Sequence, residues 1–105
     1  MQIQVNTDNH ITRREELAEE VESVVQNSLT RFQGQITRVE VHIGDENSHK
    51  GGGNDLRCMM EARLEGHQPT AVTHHAASVM QAVAGATNKL KAALDHLLGR
   101  LRDHR

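Results

Sequence analysis

Apolar and polar residues alternate over the first six positions. Met1, Ile3 and Val5 share one face, and Gln2, Gln4 and Asn6 the other, which is the period of a half-buried strand. Thr7, Asp8, Asn9 and His10 form a turn-rich link. From Thr12 the period changes. Leu17, Val21, Val24, Val25, Leu29 and Phe32 recur at steps of three and four. That spacing predicts an amphipathic helix of about five turns. Thr12 and Glu15 have capping-box spacing, and Glu15, Glu16, Glu19 and Glu20 crowd the first turns, where the helix dipole favours negative charge. Gly34 is the expected stop.

Alternation returns from Ile36 to Ile43, with Val39, Val41 and Ile43 opposite Arg38, Glu40 and His42. The run Gly44 to Asn54 is rich in glycine and polar residues and reads as a loop. Leu56, Cys58, Met60, Ala62 and Leu64 then alternate with Arg57, Met59, Glu61, Arg63 and Glu65, the clearest strand signal in the chain. Gly66-His67-Gln68 reads as a hairpin turn, and Pro69 to Thr73 as a short fourth strand. From about Thr73 to His104 the helical period resumes, with a stripe of Val79, Val83, Ala86, Leu90, Ala93 or Leu94, Leu97 and Leu101. The order is β-α-β-β-β-α. The two single-striped helices and the single-faced strands predict an α+β fold, a four-stranded mixed sheet with both helices on one face.

A chain of 105 residues fits one domain spanning 1–105. The opening residues have no basic or apolar leader segment, so no signal peptide is expected, and no apolar stretch is long enough to span a membrane. A lone cysteine fits a reducing, cytoplasmic setting. Aromatics are only 1%, which argues against stacking of bases on aromatic platforms. Net charge is −2, so there is no global basic signature. Eight histidines would move it to about +4 at pH 6.

Charge is nevertheless distributed unevenly. Arg13 and Arg14 face Glu15, Glu16, Glu19, Glu20 and Glu22 near the start of the first helix. The last helix carries Lys89, Lys91, Arg100, Arg102 and Arg105 against Asp95 and Asp103. A basic helix of this kind can track phosphates, and the same pattern also serves a solvated helix end.

Nothing in the sequence assembles a catalytic set. Cys58 is in phase with inward-facing Leu56 and Met60 and reads as a structural cysteine. His74 and His75 are adjacent and would point to opposite faces of a strand, which makes them poor joint metal ligands. No zinc-binding spacing is present, and Lys50-Gly-Gly-Gly has the wrong order for a phosphate-binding loop. No enzyme activity, cofactor or small-molecule substrate is expected.

The element order and several short stretches resemble the ribosome hibernation-promoting factor family, also called ribosome-associated inhibitor A or sigma-54 modulation protein. The stretches are Met1-Gln-Ile-Gln-Val-Asn with Ile11-Thr12; Leu29 and Phe32 leading to Ile36, Val39 and Val41; and Asn88-Lys89-Leu90 with Leu94 and Leu101-Arg-Asp-His104. The resemblance covers nearly the whole chain. It implies a fold akin to a double-stranded-RNA-binding domain. It also implies a short-form factor that binds the small ribosomal subunit through 16S rRNA and occludes the decoding region. Carried over by position, Lys89 matches a lysine that precedes leucine in the last helix. Arg100 and Arg102 fall in the basic stretch after it, Arg31 near the basic end of the first helix, and Lys91 beside Lys89. The sequence departs from the family where lysines are expected midway along the first helix and Gln26, Asn27 and Ser28 stand instead. With the acidic start of that helix, this leaves a second expectation, a protein-interaction module with a protein partner.

Overall fold

The computed structural model describes residues 1–8, 11, 13–46 and 56–103, with the side chains of residues 100–103 outside the description. Strand β1 (Gln2–Thr7) leads to helix α1 (Arg14–Ser28) and a 3₁₀ turn (Thr30–Phe32). Strands β2 (Ile36–Asp45), β3 (Leu56–Leu64) and β4 (Thr70–Ala76) follow, and helix α2 (Val79–Asp103) closes the chain. The sheet order is β1-β2-β3-β4. β1 runs parallel to β2, and β2–β3 and β3–β4 are antiparallel. The fold is therefore the mixed four-stranded α+β architecture expected from the alternation of periods.

The pairing register shows why each strand has one buried face. Val5 lies opposite Val41, Val41 opposite Met60, and Met60 opposite Val72. Val41 and Met60 are fully buried, and the two outer members are half-buried against the same core. The helices cover this face. α1 packs over β1, and α2 over β3 and β4. Val21, Val25 and Leu29 from α1 and its end meet Val83, Ala86, Leu90 and Leu94 from α2 in one continuous core. Because β1 and β4 point the same way, the helices that return along them also run parallel to each other.

Several boundaries differ from the expectations. The helix predicted to run to Gly34 ends at Ser28, and the chain tightens into the 3₁₀ turn. This buries Phe32 beside Leu29, with the Thr30 hydroxyl donating to the Gln26 carbonyl at 2.8 Å. At the other end Arg13 is the N-cap and adopts a left-handed backbone (φ 54°), which is uncommon for a residue with a side chain. Its guanidinium bonds Glu16. Thr12, the expected cap, lies outside the described residues. β2 runs on through Gly44 and Asp45, and the rest of the expected 44–54 loop beyond Glu46 lies outside the described residues.

The fourth strand extends to Ala76 where helix was predicted from Thr73. His74 pairs with Cys58 and Ala76 with Leu56, so the ladder to β3 holds these residues extended. Ser78 then starts α2, its hydroxyl accepting the Gln81 amide at 3.2 Å. Gly66 in the β3–β4 turn has φ +80°, a left-handed conformation that glycine adopts without a steric penalty. His74 lies beneath α2 with its imidazole against Gly85, where the helix has no side chain.

Candidate nucleic-acid interface

The sequence puts its cations on two separate segments, so their positions depend on how those segments pack. Arg31 sits in the 3₁₀ turn just past α1. Its guanidinium lies 4.1 Å from the centre of the Phe32 ring. Both of its terminal nitrogens donate to the Asp95 carboxylate of α2, each at 2.7 Å. Arg31 and Asp95 remain about half exposed (57% and 52%), so water reaches the pair. This hydrogen bond to Asp95 pushes the Arg31 pKa further above its ordinary value.

Lys91 precedes Asp95 by four residues and therefore shares its side of α2. It is half-buried and, among the described residues, makes no hydrogen bond or ion pair. Lys89 takes a different direction. Two residues rotate a helix by about 200°, so Lys89 leaves α2 on the side opposite Lys91. Its ammonium donates to the Thr73 carbonyl of β4 at 2.8 Å. β4 is an edge strand, and this bond ties α2 to one of its main-chain acceptors. The structure thus brings Arg31 and Lys91 to one side of α2 and sends Lys89 to the β4 side. Arg100 and Arg102 fall in the last turns of α2, and their side chains lie outside the described residues.

The opposite end of the molecule is acidic. Glu15, Glu16, Glu19, Glu20 and Glu22 are all exposed on α1. Glu16 and Glu20 border an open cavity of about 400 Å³ floored by Ile11, Leu17, Leu56 and Val79. Along α1 this lies roughly 20 Å from Arg31, at 1.5 Å per residue. On the outer sheet face two of the three arginines are matched by carboxylates, Arg57 being the third. Arg38 faces Glu40 at 3.5 Å, and Arg63 faces Glu61 at 3.4 Å. His42 approaches Glu40 at 3.6 Å, and His75 bonds Glu46 at 2.6 Å.

The sequence reading did not identify Asp95 as a partner of Arg31. The two are 64 positions apart, and only the packing of α1 against α2 joins them. A weak signal existed in the i,i+4 spacing from Lys91, which marks Asp95 as part of the same helix flank.

No group of three or more His, Cys, Asp or Glu side chains able to hold a metal occurs among the described residues. Among them, too, no helix is long and apolar enough to cross a membrane. Cys58 is fully buried, and burial pushes its thiol up to about 12. A buried neutral thiol is a poor nucleophile. Ellman's reagent at pH 8 is therefore expected to leave Cys58 unmodified in the folded protein and to label it in denaturant. Because only the unfolded chain ionises this thiol between about pH 8.5 and its folded value, the contribution of Cys58 to stability is complete below that range and declines as pH rises through it. Rapid labelling without denaturant would contradict the buried placement.

Two solved structures share this architecture. The Thermus thermophilus Protein Y N-terminal domain superposes with a TM-score of 0.71 at 16% identity, covering 92% of this chain and 99% of that one. A ribosomal subunit interface protein from Coxiella burnetii gives 0.63 at 15% identity, covering 94% and 99%. At these identities the likeness is one of fold. No curated protein sequence matches the chain. The family described as sigma 54 modulation protein / S30EA ribosomal protein matches residues 3–102. With that match over nearly its full length and the βαβββα architecture to go with it, the chain belongs to the sigma 54 modulation protein / S30EA ribosomal protein family.

Proposed function

We propose that this protein binds the small ribosomal subunit through 16S rRNA and holds it inactive by occluding the decoding region. The family match over residues 3–102 carries this reading. The charge layout supports it, since Arg31, just past the carboxyl end of α1, and Lys91, midway along α2, share one flank, while the glutamates of α1 lie toward its amino end. No bond is made or broken. Lys89, Lys91, Arg100 and Arg102 neutralise rRNA phosphates, and Arg31 adds a contact from the end of α1. Lys89 does so only by exchanging its Thr73 carbonyl for a phosphate.

Neutralising four or five phosphates sets a log–log salt slope of about −3 to −4.5. Sedimentation with 30S particles across a salt series measures it. Lys91→Ala is expected to weaken binding and to make the slope shallower by about one. Absence of co-sedimentation at both low and moderate salt would overturn the reading. The five exposed glutamates of α1 favour a second reading, docking of a basic protein on the same fold. A pull-down with and without RNase separates the two. Ribosomal components lost on RNase treatment support the rRNA contact, and a single RNase-resistant partner supports the protein contact.

A further inference from the structure

We infer that Asp95 is an internal counter-anion that sets how strongly the Arg31 flank takes an RNA phosphate. The inference rests on the rRNA-binding reading and goes beyond it by naming a residue that limits affinity. The Asp95 carboxylate meets the guanidinium of Arg31 end-on, one oxygen to each terminal nitrogen at 2.7 Å. This is the planar two-pronged geometry in which arginine also receives a phosphate. The guanidinium also sits 4.1 Å over the Phe32 ring, and a ligand that engages the same two terminal nitrogens must approach that edge of the fork. Asp95 occupies that edge.

Charge decides the sign of the effect. Arg31 with Asp95 is neutral as a unit, and phosphate binding draws its strength from release of counterions by unbalanced cations. Lys91 is then the one net charge that these three residues offer. The pair is also open to water on both partners, so a phosphate can reach the guanidinium and compete with the carboxylate. Displacement nevertheless draws on the binding energy and leaves Asp95 close to the incoming anion. Affinity is therefore lower than the cation count of the sequence implies, and the interaction responds more steeply to anything that removes the Asp95 charge.

The test is 30S binding of the wild type, Asp95→Asn, Glu15→Gln, Arg31→Ala and the double variant Arg31→Ala/Asp95→Asn, each over a salt series. Glu15→Gln changes net charge by the same amount at the far end of α1. Asp95→Asn is expected to tighten binding about 5- to 10-fold near 0.1 M salt and to steepen the log–log slope by about one, as one further phosphate contact requires. Glu15→Gln is expected to change it by less than about twofold, because charges that far apart are screened. Arg31→Ala is expected to matter more in the Asp95→Asn background than in the wild type, the non-additivity of a coupled pair. If the wild type binds and Asp95→Asn is unchanged or weaker, the counter-anion role is overturned and the rRNA reading stands. Equal tightening by Glu15→Gln also overturns it, since net charge alone then explains the gain. If no variant binds, both readings fall.

Discussion

Leu90→Ala is expected to lower folding stability by about 3 kcal/mol and the thermal midpoint by roughly 12 °C or more. Leu90 is fully buried at the centre of the α2 stripe, where Val83, Ala86 and Leu94 belong to the same core. Removing its branched end loses the transfer energy of three carbons and leaves a space that the rigid sheet beneath cannot fill. Its sequence neighbour gives the contrast. Lys91 makes no polar contact among the described residues, and Lys91→Ala is expected to stay within about 0.5 kcal/mol of the wild type. Thermal unfolding followed by circular dichroism measures both. A loss below about 1 kcal/mol for Leu90→Ala would mean that α2 is not docked on the sheet as described.

Gly85→Ala is expected to destabilise the protein although alanine is the better helix former. In an exposed helix the exchange would gain about 1 kcal/mol. Here the added methyl would overlap the His74 imidazole, which lies between β4 and α2. Overpacking of this kind costs about 1–3 kcal/mol, so the net expectation is a loss of up to about 2 kcal/mol. His74→Ala/Gly85→Ala relieves the overlap and is expected to be more stable than Gly85→Ala alone. Urea unfolding of the two variants decides it. A stabilising Gly85→Ala would show that the ring swings aside freely and that the missing side chain is not what seats the helix.

Both residues show what the sequence displays and what it hides. The five-pair alternation from Leu56 to Glu65 announced β3 because one face of that strand is buried and the other is not, and burial alone writes a period of two. The stripe through Leu90 was equally plain. The end of β4 was not, because Thr73, His74, His75 and Ala76 carry no breaker and no strong preference of their own. Their extended shape comes from pairing with Leu56 to Met59, about 17 positions away in the chain. At the start of α1 the capping motif at Thr12 stands beside Arg13, which takes the cap position with a left-handed backbone, and Thr12 itself lies outside the described residues. The cations were legible as residues and not as a surface. Helical geometry puts Lys89 and Lys91 on different sides. The fork on Arg31 and the carbonyl on Lys89 are supplied by segments that only folding brings near.

The parallel run of the two helices has a consequence at a distance. The carboxylates of α1 gather toward the pole where both helices begin, and Arg31, past the end of α1, and the arginines in the last turns of α2 lie toward the pole where they finish. The formal charge then changes sign along the molecule, with Arg13 and Arg14 offsetting part of the negative pole and Asp95 and Asp103 part of the positive one, and a polyanion exerts a torque on such a body before touching it. The molecule turns its carboxyl pole forward on approach, within a reach that ions shorten to about 8 Å at 0.15 M.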